Sequence, residues 1–299
     1  MNMDFKSAKE LLDLCEENQL PISEVMRQRE CLLGEVPRDA VDHRMAKAWE
    51  IMHASATQPL KKPIKSMGGL IGGEAKKLET HYNKKKNICG DVLQKAMTYA
   101  MAVLEVNASM GLIVAAPTAG SAGVVPGMML ALQECYRISD QRIVDALFNA
   151  GAVGYLAMRN ATVAGAVGGC QAEVGAASGM AAAALVDIKG GTAEQCAEAF
   201  AMALTNLEGL VCDPVAGLVE IPCIKRNVIG AMNAVSAADM ALAGVVGHIP
   251  ADEVIDAMAE VGNAMSKDLR ETGIGCLAGT PTGRAICEIV TMDNGEEED

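Results

Sequence analysis

The chain has 299 residues, a mass of 31.1 kDa and a formal net charge of -13, with 51% hydrophobic but only 3% aromatic residues. This length can bury a sizeable core, and the scarcity of aromatic residues favours closely packed helices over a β-sandwich or barrel. The acidic charge, with no basic face to offset it, argues against nucleic acid as a partner.

The N-terminal stretch MNMDFKSAKELLDLCEENQL mixes acids with lysines and lacks the apolar run of a signal peptide. We therefore expect a cytoplasmic protein. In that compartment the ten cysteines would stay reduced, which leaves small buried thiols, metal ligands or a catalytic thiol as their roles.

Helical periodicity runs through the chain, and convincing alternating strands are absent, so we predict an all-α fold in a single domain, 1–299. Residues 1–66 are predicted to form a peripheral helical region that ends in the loop-like stretch ATQPLKKP. The lysine-rich turn NKKKN then separates a short helix from an apolar core at 90–290. The tail NGEEED is predicted to be a disordered, solubilising end.

Three helices are predicted with particular clarity from apolar residues that recur every 3.6 positions. They cover 91–106, 192–207 and 251–269. Thr192 and Gln195 form a capping-box pattern at the start of the second helix.

An uncharged stretch of 22 residues, GLIVAAPTAGSAGVVPGMMLAL at 111–132, is long enough to cross a membrane. Pro117, Pro126 and several glycines would interrupt such a helix repeatedly. We therefore predict a buried core segment and no membrane span.

Glycine and proline are concentrated in segments that interrupt the helices between 107 and 283. These segments are VNASMGLIVAAPTAGSAGVVPG, VAGAVGGCQAEVGAASGM, EGLVCDPVAGLVEIPCIKRN and ETGIGCLAGTPTG. This density of glycine and proline would destabilise a core that only needs to pack. It favours segments whose backbone comes close to a ligand. Cys170, Cys212 and Cys223 lie in these segments without a compact C-x-x-C, which argues against a zinc ribbon. Their spacing suits an iron–sulfur cubane held at three irons, or simply three small buried thiols.

The segments APTAGSAGVVPG, GGCQAEVG, GLVCDPVAGLVEIPCIKRN and TPTG together resemble the alpha chain of the iron–sulfur-dependent L-serine dehydratases, over essentially the whole chain. The resemblance implies Gly/Pro-rich loops that converge on a buried [4Fe-4S] cluster, with Cys170, Cys212 and Cys223 as its ligands and 90–290 as the cluster-binding core. The implied reaction converts L-serine to pyruvate and ammonia, with an open iron acting as the Lewis acid for the hydroxyl.

The turn PTAGSAG contains the candidates for substrate binding. Ser121 is predicted to open a helix, with Gly120 and Gly123 turning backbone N–H groups inward. Such a terminus could bind the substrate carboxylate, although a plain helix cap explains Ser121 equally well. Thr118 and Asn107 are further candidates for polar contacts.

The base that removes the α-proton is not assigned by the sequence. Glu173 and Lys225 are candidates because they lie close to the cysteines, but structural ion pairs would explain both. The resemblance implies that a beta chain brings a Ser-Ser-Ser-His-Thr motif to the site, and this chain has no such motif. We therefore expect a hetero-oligomer with a beta chain.

Several alternatives stay open. L-threonine or L-cysteine could undergo the same elimination, and an electron-transfer iron–sulfur protein is the non-catalytic alternative. A pyridoxal-phosphate dehydratase would need a strand–helix alternation that is missing. Cys276, in TGIGCLAG, stands where the family resemblance suggests glycine. It is either a tight-turn substitution or a further thiol near the site.

Overall fold

The computed structural model describes residues 3–293 and is built almost entirely from helices; the acidic tail at 294–299 lies outside these residues. Within the described range the structure has no β-strand, only an isolated bridge between Cys212 and Arg270. The α-helices are α1 (Ala8–Asn18), α2 (Ile22–Leu33), α3 (Arg38–Lys61), α4 (Glu74–Asn83), α5 (Asp91–Ala108), α6 (Val124–Tyr136), α7 (Asp140–Asn160), α8 (Gly165–Gly168), α9 (Ala176–Ile188), α10 (Ala193–Thr205), α11 (Cys223–Leu242), α12 (Ala251–Ala264), α13 (Cys276–Gly279) and α14 (Pro281–Asp293). The predicted all-α fold is confirmed.

Shorter helical turns lie between these helices. Three are 3₁₀ turns, at Ala119–Ser121, Val215–Gly217 and Lys267–Leu269, and a π turn at Gln171–Gly175 leads directly into α9. Single π turns are frequent at functional sites.

The helix predicted at 192–207 forms as expected, because its cap is made by neighbouring residues. The backbone N–H of Gln195 donates to Thr192 Oγ1 at 3.2 Å, and the N–H of Thr192 donates to Gln195 Oε1 at 3.0 Å. This reciprocal pair satisfies donors that the first turn of α10 leaves free. The helix predicted at 251–269 is shorter than expected, because Met265 is extended and a 3₁₀ turn comes after it.

The loop predicted at ATQPLKKP, residues 56–63, is wrong for its first six residues, because α3 continues to Lys61 through Pro59. A proline inside a helix removes one backbone hydrogen bond. Pro59 and the neighbouring Ala56 are both buried, so packing against the core offsets that loss. The N-terminal helices contribute to the same core as the rest of the chain, since α2 packs on α7 and α3 packs on α5. The boundary at residue 66 stays a prediction.

The uncharged stretch at 111–132 divides into an extended segment, a 3₁₀ turn and the start of α6. The residues of α6 from Val124 to Leu132 are all buried, as predicted for a core segment. Among residues 3–293, no helix is both long and apolar enough to cross a membrane.

The core is held together by helices whose backbones approach closely. Helix α9 is rich in alanine, is almost completely buried, and packs against α7, α10 and α11. On α6, a Cβ atom at Gly127 would lie 2.9 Å from the backbone nitrogen of Ala100 on α5. Only glycine allows this approach, so α5 and α6 pack backbone to backbone.

A buried guanidinium joins three of the outer helices. The side chain of Arg27 on α2 is 4% exposed and pairs with Glu24 at 3.0 Å, with Asp42 of α3 at 2.6 Å and with Asp145 of α7 at 2.5 Å. It also lies over the ring of Phe148, 4.4 Å from the centroid.

Replacing Arg27 with Ala should lower the free energy of unfolding by about 3 kcal/mol or more, because three carboxylates would lose a buried partner. Urea unfolding followed by circular dichroism measures this change. The matched control is Lys9→Ala, which removes an exposed pair with Asp13 and should leave the unfolding midpoint unchanged. Equal midpoints for the two variants would contradict the role given to Arg27.

Candidate active site

The three cysteines of the glycine-rich segments are buried, with exposures of 3% for Cys170, 4% for Cys212 and 9% for Cys223. Cys170 immediately precedes the π turn that leads into α9, and Cys223 is the first residue of α11. Two of the three cysteines therefore lie at helix N-termini. The positive end of a helix dipole favours the thiolate form of a cysteine at such positions.

Cys212 is held by its backbone instead. Its N–H donates to the carbonyl of Leu269 at 2.8 Å, and its carbonyl accepts from the N–H of Glu271 at 2.7 Å. This short bridge joins the Cys212 segment to the loop after α12, so the thiol is positioned by two chain segments that are remote in sequence.

The thiols lie within electrostatic reach of one another. Burial, together with the nearby carboxylate of Glu173, raises the pKa of Cys170 and of Cys223 to about 12. Burial also raises the pKa of Cys212, and the charges of Cys170 and Cys223 add to this effect. The folded chain therefore gathers three thiols that favour the protonated form until a positive ion compensates their charge.

No three Cys, His, Asp or Glu side chains within the described residues are arranged to hold a single metal ion. The three thiols are thus not a mononuclear site of the zinc type. Each thiolate ligand of a multi-iron cluster can bind a different iron, so three thiols that do not converge on one ion are still compatible with a cluster.

The carboxyl group of Glu173 lies between the cysteines and the turn at 118–121. It accepts a hydrogen bond from Thr118 Oγ1 at 2.7 Å, and the thiol of Cys212 donates to it at 3.8 Å. Burial raises its pKa. A Cβ atom at Gly165 would lie 2.6 Å from Glu173 Oε2 and 3.1 Å from Cys212 Sγ, so the glycine makes room for this contact.

Ser121 does not open α6, contrary to the sequence prediction. It is fully buried in the 3₁₀ turn, where its Oγ lies 3.1 Å from Thr118 Oγ1. The acceptor at the start of α6 comes from another helix, because Asn227 Oδ1 accepts from the N–H of Gly123 at 3.0 Å. Gly120 lies in the same turn, next to the Glu173 carboxylate.

Asn227 is a residue that the sequence reasoning missed. Besides accepting from Gly123, its Nδ2 donates to the carbonyl of Gly120 at 2.8 Å and to that of Cys223 at 2.9 Å. The side chain is fully buried. It therefore links the turn at 118–121 directly to one of the three cysteines.

The two basic residues after Cys223 have different surroundings. Lys225 is exposed, whereas Arg226 pairs with Asp213 at 2.7 Å and donates to the carbonyl of Val211 at 2.7 Å. Helical spacing explains this, because residues three and four positions after Cys223 share its face and the residue two positions after does not. The spacing from Cys223 is therefore the feature of the sequence that could have identified Arg226 and Asn227 as residues near the cysteine.

Two further candidates lie at the edge of this arrangement. Asn107 is half-buried in the last turn of α5, and its side chain forms no hydrogen bond with the other described residues. Cys276 is exposed and has φ of +48°, a conformation that favours the glycine suggested for this position. The adjacent N–H of Leu277 donates to Asp213 Oδ2 at 3.0 Å.

The loop before α4 is tied to the Cys212–Cys223 segment by one buried carboxylate. Glu220 accepts from Ser66 Oγ at 2.6 Å, from the N–H of Gly68 at 2.7 Å and from the N–H of Leu70 at 3.1 Å. These bonds explain Glu220 as a structural residue.

Comparisons with known proteins point to one family. A family model described as "Serine dehydratase alpha chain" matches residues 17–278. A "Probable L-serine dehydratase, alpha chain" of Bacillus subtilis (strain 168) is 50% identical over 282 residues, which cover 94% of each protein. The L-serine dehydratase alpha chain of Peptoniphilus asaccharolyticus is 45% identical over 94% of this chain and 97% of its own length. An L-serine dehydratase of Helicobacter pylori (strain ATCC 700392 / 26695) is 39% identical over 93% of this chain, but over only 62% of its own length.

Replacing Asn227 with Asp keeps the size of the side chain but turns a carboxylate oxygen towards the carbonyls of Gly120 and Cys223. We expect the free energy of unfolding to fall by about 2 kcal/mol, because the two buried carbonyls lose their donor. We also expect alkylation of Cys223 to become faster, as read by mass spectrometry of the peptide.

The control for Asn227 is Asn233→Asp on the same helix. Asn233 Nδ2 donates to Ser178 Oγ at 2.9 Å and to the carbonyl of Ala203 at 2.8 Å, away from the cysteines. This variant should lose stability without changing the alkylation of Cys223. The same alkylation rate in both variants would argue against a link between Asn227 and the cysteine site.

Proposed function

The chain belongs to the serine dehydratase alpha-chain family, and from this premise we propose that it catalyses the deamination of L-serine to pyruvate and ammonia with a [4Fe-4S] cluster held by Cys170, Cys212 and Cys223. As a member of this family it is an enzyme, a carbon–oxygen lyase. The observation that carries the proposal is the gathering of these three buried thiols from separate segments of the chain.

The thiols fit such a cluster in two respects. Two of them lie at the starts of helices, and Arg226 supplies a positive charge beside them. When bound, a cluster with one iron free of protein ligands supplies a Lewis acid for the substrate hydroxyl.

The turn at 118–121 is proposed to bind and orient the substrate carboxylate. Thr118 and Gly120 both adjoin the Glu173 carboxyl, which is itself within reach of Cys212. Because Ser121 is fully buried, its proposed role is to hold the turn through Thr118. Asn107 lies on the helix before the turn and stays a candidate for a polar contact.

Of the two candidates for proton transfer, only Glu173 lies at the cysteines. Lys225 is exposed on the first turn of α11. The four histidines are all exposed, as expected for surface residues: His43, His53, His81 and His248. We therefore propose that a second polypeptide completes the acid–base groups of the site.

That second polypeptide is proposed to be the beta chain of the same enzyme. Relatives of this chain are named alpha chains, and the longer H. pylori relative matches over only 62% of its length.

An exposed apolar rim beside the site suits such a partner: Met67, Met110 and Leu112 are exposed by 66%, 80% and 71%. The N–H of Met67 donates to the carbonyl of Ala108 at 2.9 Å, which brings the two parts of the rim together. We expect the complex to work in the cytoplasm, where its thiols stay reduced.

Single replacement of Cys170, Cys212 or Cys223 by Ala should abolish both iron retention and serine turnover. The measurements are iron per chain after anaerobic reconstitution and pyruvate formation. Cys15→Ala and Cys196→Ala are the controls, because both thiols are buried on other helices, and they should retain iron. Full iron content in any of the first three variants would remove that residue from the ligand set.

The chain alone should show low serine turnover until the beta chain is added. Leu112→Glu should weaken the complex at least tenfold in a pull-down titration without changing the iron content of the chain, because it charges the rim. The control is Ile88→Glu, since Ile88 is fully exposed after α4, and it should leave complex formation unchanged. High turnover by the chain alone would show that its own residues supply the base.

A further inference from the structure

Arg226 contacts the residues on both sides of Cys212 in the chain. Its Nη1 donates to the carbonyl of Val211 at 2.7 Å, and its Nη2 lies 2.7 Å from Asp213 Oδ1. These are the residues immediately before and after the cysteine. The guanidinium is a planar fork whose donors are pre-organised, so the two contacts fix both the position and the direction of this segment.

The same arginine belongs to the first turn of α11. It lies three residues after Cys223 and therefore on the same face of the helix. A single side chain thus connects the segment of Cys212 to the helix that begins with Cys223. The backbone hydrogen bonds of Cys212 run to Leu269 and Glu271 and do not involve α11.

The positive charge of Arg226 lies close to the cysteines and to Asp213. Its side chain is 15% exposed, and Asp213 is 2% exposed. Burial lowers the pKa of Arg226, but the neighbouring Cys170, Asp213 and Cys223 together outweigh burial and raise it, so the guanidinium stays charged. Glu173 and Glu271 are the negative groups that also act on the thiols. Three thiolates beside these carboxylates would be costly to bury without a cation.

We propose that Arg226 is a positioning residue of the cluster site, which clamps the Cys212 segment to α11 and offsets the negative charge of the three thiolates. The part of this inference that concerns the cluster rests on the proposed function. The clamp itself concerns only residues of this chain and can be tested without iron.

The test compares Arg226→Gln with Arg226→Lys. The glutamine variant loses both the charge and the fork, and the lysine variant keeps the charge but loses the fork. After anaerobic reconstitution, both should lose iron to a chelator about tenfold faster than the wild type, as expected for residues that orient ligands. Only the glutamine variant should show a more negative reduction potential, because an added electron then meets one positive charge fewer.

The matched control is Arg142→Gln. Arg142 is also a forked guanidinium, which pairs with Asp187 Oδ2 at 2.7 Å and donates to the carbonyl of Asp187, but it joins α7 to the end of α9. This variant should lose stability in urea while iron loss and reduction potential stay at their wild-type values. It separates a local role of Arg226 from a general effect of losing a buried arginine.

The contact between Arg226 and the Cys212 segment is tested in the iron-free protein by measuring the rate at which Cys212 is alkylated. We expect Arg226→Gln and Arg226→Lys to be alkylated at Cys212 at least tenfold faster than wild type and Arg142→Gln at the wild-type rate. Equal alkylation and equal iron loss in the Arg226 and Arg142 variants would overturn the inference. A wild-type chain that takes up no iron, together with faster alkylation in the Arg226 variants, would instead refute the cluster and leave the clamp standing.

Discussion

The close approach of helix backbones is the constraint on which the rest of this structure depends. The site is built from segments that precede α6, α9 and α11. These three helices pack on one another, and α6 and α11 also pack on α5. Gly127 brings α6 against the backbone of Ala100, and α9 is lined with alanine on every side. Larger side chains at these contacts would move the helix N-termini apart, and the three cysteines would move with them.

Close packing of the helices sets the distances between the segments of the site, and the polar network then sets the directions of these segments. Asn227 ties the turn before α6 to Cys223, and Arg226 ties Cys223's helix to both neighbours of Cys212. Glu220 holds the loop at 66–70 against the same segment. Each of these side chains is buried or nearly so and forms at least one hydrogen bond with a backbone group, which is how a protein keeps loops rigid inside a core. A rigid set of loops lowers the cost of bringing charged sulfur atoms together.

Features that depend on neighbouring residues could be predicted from the sequence, and features that depend on distant ones could not. The all-α fold and the capping box at Thr192 are local, since they depend on periodicity and on two residues three positions apart. The turn PTAGSAG predicts that Ser121 opens a helix, but the acceptor for the N–H of Gly123 at the start of α6 is Asn227, 104 positions along the chain. Proximity in sequence points to Lys225 and does not reveal the role of Arg226, because the residues that share a helix face with Cys223 are known only when the first residue of α11 is known.

The first five residues of α11 include the thiol of Cys223, the guanidinium of Arg226 and the amide of Asn227 on one face of the helix. Lys225 lies on a different face and is exposed. Each residue added to a helix rotates all later side chains by about 100° around its axis. One inserted or deleted residue after Cys223 would therefore carry the arginine and the asparagine away from their partners together, whereas substitution of Lys225 would disturb neither. Among homologous sequences, this turn should vary in composition at its exposed position and stay constant in length.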